Sequence, residues 1–192
     1  MDALSSPKLI VIGGSWGGIQ ASLQILKYLP ANYSIPIVLV LHRLRNYDGS
    51  LQEVFDKKIQ LRAVEVEEKE SIKSGYVYVA PANYHVLLES DYTFSLDDSE
   101  LENYSRPSID VTFTSAADVL GDQVIGILLS GASRDGSSGL NYIFEKQGKA
   151  IVQEPTEAEV DTMPLAAINS TPGCSVMRLA EIKELLLSLH VH

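Results

Sequence analysis

The chain has 192 residues, 45% of them hydrophobic and 21% charged, with a formal net charge of -10. That is enough apolar sequence for one substantial core, read as a single domain over residues 1–192, and the negative balance argues against a protein that holds nucleic acid by neutralising phosphates. One cysteine, Cys174, excludes an internal disulfide, and four histidines without an H-x-x-x-H pair argue against a zinc site, so neither metal nor cofactor is expected.

In chain order, the short β-branched run at 9–12 predicts a buried parallel strand that stops at glycines, and Ile19, Leu23 and Leu26 then recur at helical spacing until Pro30. Residues 36–41 predict a second buried strand ending at His42, followed by a short helix over 50–58 and an alternating strand over 61–66. Residues 76–80 and 84–88, separated by Pro81-Ala-Asn83, predict a hairpin extended by 92–96, so that the sheet gains an antiparallel part. A helix over 108–120 follows Pro107, and the apolar strand at 123–129 ends in the small-residue turn 130–136 before another helix. A strand at 149–153, a short helix at 162–168 and an amphipathic helix at 179–189 close the chain. The pattern predicts a doubly wound, three-layer α/β/α fold with a mostly parallel sheet plus an antiparallel hairpin. No apolar stretch approaches the roughly 18 residues needed to span a bilayer, and residues 1–7 lack a signal pattern, which predicts a cytoplasmic protein without membrane insertion.

The turn after the first strand, Gly13-Gly14-Ser15-Trp16-Gly17, fits neither the dinucleotide nor the phosphate loop, because the second glycine and the lysine that those need are missing. It does fit G-x-S-x-G, a strained elbow that projects a serine hydroxyl beside backbone N–H groups; the alternative is a serine that caps the next helix. Ser15, His42 and Asp135 share one address, the carboxyl ends of buried strands. A serine needs a base to take its proton, and an imidazole serves best when a carboxylate fixes its tautomer. Each residue also has a plainer use: His42 as an ordinary strand-end histidine, Asp135 as the cap of the helix that follows it. The order Ser, His, Asp differs from the Ser, Asp, His order of α/β-hydrolases, so the motif does not imply that fold. Trp16 is a candidate for the substrate cleft. So are Arg43 and Arg134, which bring positive charge to this edge, and His85 is a candidate for the cleft wall or a structural role.

Five stretches, taken in order, resemble the catalytic domain of the CheB-type chemotaxis protein-glutamate methylesterases over nearly the whole chain. They are Ile12-Gly-Gly-Ser-Trp-Gly-Gly18, Leu41-His-Arg43, Gly75-Tyr-Val-Tyr-Val-Ala-Pro81 with His85, Arg106-Pro-Ser-Ile-Asp-Val111, and Ser130-Gly-Ala-Ser-Arg-Asp-Gly136; residues 152–168 resemble the family's last signature. The resemblance implies a serine hydrolase that demethylates glutamate methyl esters on chemoreceptors through an acyl-enzyme. Ser15 would be its nucleophile, His42 its base and acid, Asp135 the orienting carboxylate, and backbone N–H groups near Trp16 and Ala132 the oxyanion donors.

The implied partners are the cytoplasmic helices of a methyl-accepting chemoreceptor or a similar methylated protein, with a separate response regulator as a further candidate. Three departures stand out. Trp16 replaces the usual threonine after the nucleophile, Gly131-Ala-Ser-Arg-Asp-Gly136 replaces Gly-Met-Gly-Asn-Asp-Gly, and the catalytic segment begins almost at Met1, as a free-standing form without a receiver domain would. They leave three alternatives open: a receptor glutamine deamidase, a hydrolase of another carboxylic ester, and a catalytically silent signalling module of the same fold.

Overall fold

The computed structural model describes residues 7–42 and 50–190; Arg43 lies outside the described residues. Seven strands form one wholly parallel sheet: β1 (Leu9–Gly14), β2 (Ile37–Leu41), β3 (Arg62–Glu65), β4 (Tyr76–Val79), β7 (Val124–Leu128), β8 (Lys149–Gln153) and β9 (Ser175–Met177). Their spatial order is β3-β4-β2-β1-β7-β8-β9. The helices are α1 (Gly18–Leu26), α2 (Leu51–Asp56), α3 (Ile109–Leu120), α4 (Ser137–Glu145), α5 (Thr162–Ser170) and α6 (Leu179–Ser188).

Strand periodicity sorts the apolar side chains into two cores. Ile10, Ile12, Leu39, Val77 and Ile127 point into the layer that holds Leu26, Phe55 and Ile182 of α1, α2 and α6. Leu9, Val11, Val40, Tyr78 and Leu128 point into the layer that holds Phe113, Leu140 and Ala167 of α3, α4 and α5. Both faces of the central strands are thus dry, which is why residues 9–12 and 124–128 are continuously apolar rather than alternating.

The antiparallel part differs from the expected one. Residues 76–79 do not pair with 85–88: β4 lies in the main sheet, parallel to β2 and β3, while β5 (His85–Leu88) pairs antiparallel with β6 (Phe94–Asp97) in a separate two-stranded sheet. Two apolar runs joined by Pro81-Ala-Asn83 look locally like a hairpin. Val77, Tyr78 and Val79 are nonetheless buried in unbroken succession, as in a strand covered on both faces. The β5–β6 pair covers α3 instead, where Thr112 Oγ1 donates to the carbonyl of Val86 at 2.8 Å and Ser115 Oγ accepts the N–H of Leu88 at 3.1 Å. Strand β9, three residues at the sheet edge, has too weak an apolar pattern to be read from the sequence.

The chain leaves β1 to one side through α1 and β2, and β7 returns on the other side of β1. The crevice beyond the carboxyl ends of these three strands is the topological switch point, where open α/β sheets place their ligands. No helix among the described residues is long and apolar enough to cross a membrane.

Candidate active site

Ser15, His42 and Asp135 follow the three strands that meet at this switch point. Gly14 and Leu41 are paired in register, and the N–H of His42 donates to the carbonyl of Gly14 at 3.0 Å. Ser15 and His42 are each the next residue past that pair, on strands about 4.8 Å apart in a parallel sheet. On the other flank, the N–H of Ser15 donates to the carbonyl of Ser130 at 2.9 Å.

The turn that carries Ser15 is not a strained serine elbow. Its N–H···O bond runs from Gly18 to the carbonyl of Ser15 at 2.9 Å, and the positive φ falls on Gly17 (φ 81, ψ -18), as in a type II turn with glycine at its third position. Ser15 keeps an ordinary negative φ, and its side chain does not cap α1, whose N-cap is Gly17 with no side-chain cap bond. The half-buried serine therefore projects because the turn beneath it is built on glycine.

Asp135 likewise does not cap the helix that follows it; that N-cap is Gly136, again in the left-handed region (φ 89). The carboxylate is fully buried and reaches across to the amino end of α3. Its Oδ2 accepts the N–H of Ile109 at 2.7 Å, and its Oδ1 accepts Ser108 Oγ at 2.9 Å and the N–H of Asp110 at 3.1 Å. His42 Nε2 completes the set at 2.8 Å from Oδ2. Burial pushes the Asp135 carboxyl up, but the His42 bond and the α3 N–H groups outweigh it and hold the group below its ordinary value. An ionised carboxylate only accepts, so Nε2 carries the proton and a neutral His42 ring keeps Nδ1 as its acceptor.

His85 lies behind this arrangement rather than on an open cleft wall, because it is buried and committed through both nitrogens. Its Nδ1 accepts the N–H of Ser108 at 3.1 Å, and its Nε2 lies 2.9 Å from the carbonyl of Glu100. It thereby steadies the start of α3, which in turn holds Asp135. On the open side, Trp16 is 56% exposed, and its Nε1–H donates to Glu159 Oε1 at 2.7 Å, which fixes the indole beside Ser15. Arg134 is also exposed. The N–H groups of Trp16 and Ala132 have no hydrogen-bond partner among the described residues, so both remain available to a ligand. Ser130 and Gln153 anchor the loop that carries Ala132: Gln153 Oε1 accepts the N–H of Ser130 at 2.8 Å, and Ser130 Oγ donates to the carbonyl of Trp16 at 2.7 Å.

Sequence reasoning missed Ser108, Asn103, Asp110 and Glu159. The first and third lie in Arg106-Pro-Ser-Ile-Asp-Val111, a stretch singled out without a role; a helix-start serine after a proline was its available signal. Glu159 had none, since its partner Trp16 is 143 residues away.

The family model described as CheB methylesterase matches residues 10–186. A protein of Leptospira interrogans is 48% identical over 180 residues, covering 94% of this chain and 93% of that one. Relatives from Chromohalobacter salexigens (34% identical over 187 residues) and Thermotoga maritima (32% over 187) are each named protein-glutamate methylesterase/protein-glutamine glutaminase. The chain spans about half the length of these two, 52% and 54%, while they cover 96% of it. Among solved structures, the crystal structure of the Thermotoga maritima CheB methylesterase catalytic domain superposes with a TM-score of 0.88 at 32% identity, covering 96% of this chain and 99% of that one.

Proposed function

The chain belongs to the CheB methylesterase family, and from that membership together with the geometry around Ser15 we propose that it is a serine hydrolase acting on glutamate methyl esters of chemoreceptors. The observation that carries the reading is the 2.8 Å contact between His42 Nε2 and the buried carboxylate of Asp135, with His42 directly after β2, the strand that pairs with β1 ahead of Ser15.

In this reading His42 Nδ1 takes the Ser15 Oγ proton as Oγ attacks the ester carbonyl, and Asp135 stabilises the imidazolium that forms. The carbonyl oxygen becomes an oxyanion that accepts from the N–H groups of Trp16 and Ala132. Collapse of the tetrahedral species breaks the bond to the methoxy oxygen, which leaves as methanol with the proton from His42. A water then gives a proton to His42 and attacks the acyl-enzyme; the glutamate carboxylate leaves and Ser15 regains its proton. The same steps on a glutamine side chain release ammonia, the second activity in the relatives' names.

The substrate segment is a receptor helix on the cytoplasmic side of the membrane. Trp16, pinned by Glu159, forms the wall along which the residues flanking the ester pass. Arg134, exposed on the loop after β7, supplies positive charge at the rim. A separate response regulator as the controlling partner is part of the same proposal.

Methylated receptor fragments test it. Wild-type protein is expected to release methanol, and Ser15→Ala to lose about 10⁴-fold or more of the rate. Full activity in Ser15→Ala would refute the proposal. Release of ammonia alone, from unmodified receptor, would move the reading to the deamidase.

A further inference from the structure

One partly buried carboxylate beside this site has no part in the steps above. Asp110 lies in the first turn of α3; its Oδ1 accepts the N–H of Gly139 in α4 at 2.6 Å, and its Oδ2 accepts Asn103 Nδ2 at 2.9 Å. The same amide nitrogen also reaches Asp135 Oδ1 at 3.4 Å. Asn103, on a turn where it and Tyr104 both have left-handed backbone (φ 50 and 63), thus stands between two carboxylates as a shared donor.

Among the described residues, the surroundings offer little compensating charge. The first turn of α4 contributes Ser137, Ser138 and Gly139; the Arg106 guanidinium donates to the carbonyls of Asp98 and Ser99; Arg134 is exposed; and His85 is engaged with Ser108 and Glu100. Among the described residues, the remaining group that gains positive charge on protonation is His42, which meets Asp135. Two neighbouring carboxylates that share one donor resist being ionised together. An asparagine at position 110 would tie α3 to α4 through Gly139 without that penalty.

We propose that Asp110 is a positioning residue, which through the Asn103 bridge sets the negative charge that Asp135 presents to His42, so that the site turns over at full rate only when both carboxylates are ionised. The proposal rests on the Ser15, His42 and Asp135 reading. With Asp110 protonated, the pair carries one charge fewer, and the imidazolium that forms as Ser15 attacks is less stabilised. Burial first, then the adjoining Asp135 charge, push Asp110 up to about 6, which places the change of state inside the working range of a general base.

The pH dependence of hydrolysis of a small methyl ester by wild type, Asp110→Asn and Asn103→Ala tests this. The wild-type acid limb is expected to be steeper than a single protonation allows. Asp110→Asn restores a one-proton slope, moves the midpoint down by about half a unit, and lowers the plateau in kcat about ten-fold with KM little changed. Asn103→Ala moves the midpoint the opposite way, because an ionised Asp110 loses a donor. An unmoved slope and midpoint in Asp110→Asn, at any plateau height, would reduce Asp110 to a tie between helices and overturn the proposal. Carboxyl NMR on the inactive Ser15→Ala protein is expected to show Asp110 titrating near 6. An Asp110 ionised throughout the range above pH 5 would also overturn it. If Ser15→Ala remains active, the hydrolase reading itself has failed, and the NMR result still decides whether the carboxylates are linked.

Discussion

The turn after β1 and the turn after β7 use one backbone device to opposite ends. Both pass from a buried strand to a helix whose N-cap is a left-handed glycine without a side-chain cap bond, Gly17 in the first and Gly136 in the second. In the first, the polar residue sits two places before the glycine and is left half-buried at the mouth of the crevice. In the second, it sits one place before the glycine and is driven fully inside, onto the amino end of α3. One residue of offset thus separates a hydroxyl open to substrate from a carboxylate held away from water. The lesson concerns charge: the exposed turn needs only room, whereas the buried one needs donors, and α3 supplies them.

Breaking the buried side is expected to have the larger effect. Asp135→Asn keeps the shape but lets the imidazole take the wrong tautomer, and a fall of about 10⁴-fold in kcat is expected from ester kinetics. Next comes the open side. A Cβ on Gly131 would lie 2.9 Å from Ser15 Cβ and 2.7 Å from Met163 Cε, so Gly131→Ala displaces the serine and is expected to lower kcat about 10²-fold, with the fold retained by circular dichroism. Ser108→Ala removes one donor to Asp135 and the cap of α3, and about ten-fold in kcat together with about 1 kcal/mol of stability is the expected loss in parallel kinetics and urea melts. Smallest is Glu159→Gln, which trades a charged acceptor for a neutral one under the indole; a few-fold rise in KM for receptor fragments is expected, together with a change in the fluorescence of Trp16, the only tryptophan.

The two carboxylates also have opposite links to stability. Asp135 is depressed in the folded protein, so its contribution is present above the ordinary carboxylate range and is lost as pH falls through its lowered value. Asp110 is raised, so its contribution is present below the ordinary range and is lost as pH climbs through about 6. Asp110→Asn is therefore expected to raise the melting temperature more at pH 8 than at pH 5. An equal change at both would contradict the raised value.

Much of this was legible in the sequence, and for physical reasons. The strand runs within 9–12, 36–41 and 123–129 are apolar on both faces, as a covered parallel sheet requires, and the segment that follows each carries one of the three site residues. What the sequence did not carry were choices made by tertiary burial. The partner of β4 was settled by the dryness of Val77 and Tyr78 rather than by the turn at Pro81. The elbow motif of Ser15 shows which residues are small but not where the positive φ falls, and it falls on Gly17. Asp135 before Gly136 had the plainer use of capping α4, and only the approach of α3 draws it away. Asn103 and Asp110 join the site through contacts that no periodicity encodes.

The central claim is that this crevice activates Ser15 and no other hydroxyl. Treatment of the wild-type protein with a fluorophosphonate, followed by peptide mass spectrometry, measures it directly. A single adduct on Ser15, greatly slowed in Asp135→Asn, is expected; an unlabelled protein, or an adduct on a serine elsewhere, would contradict the account.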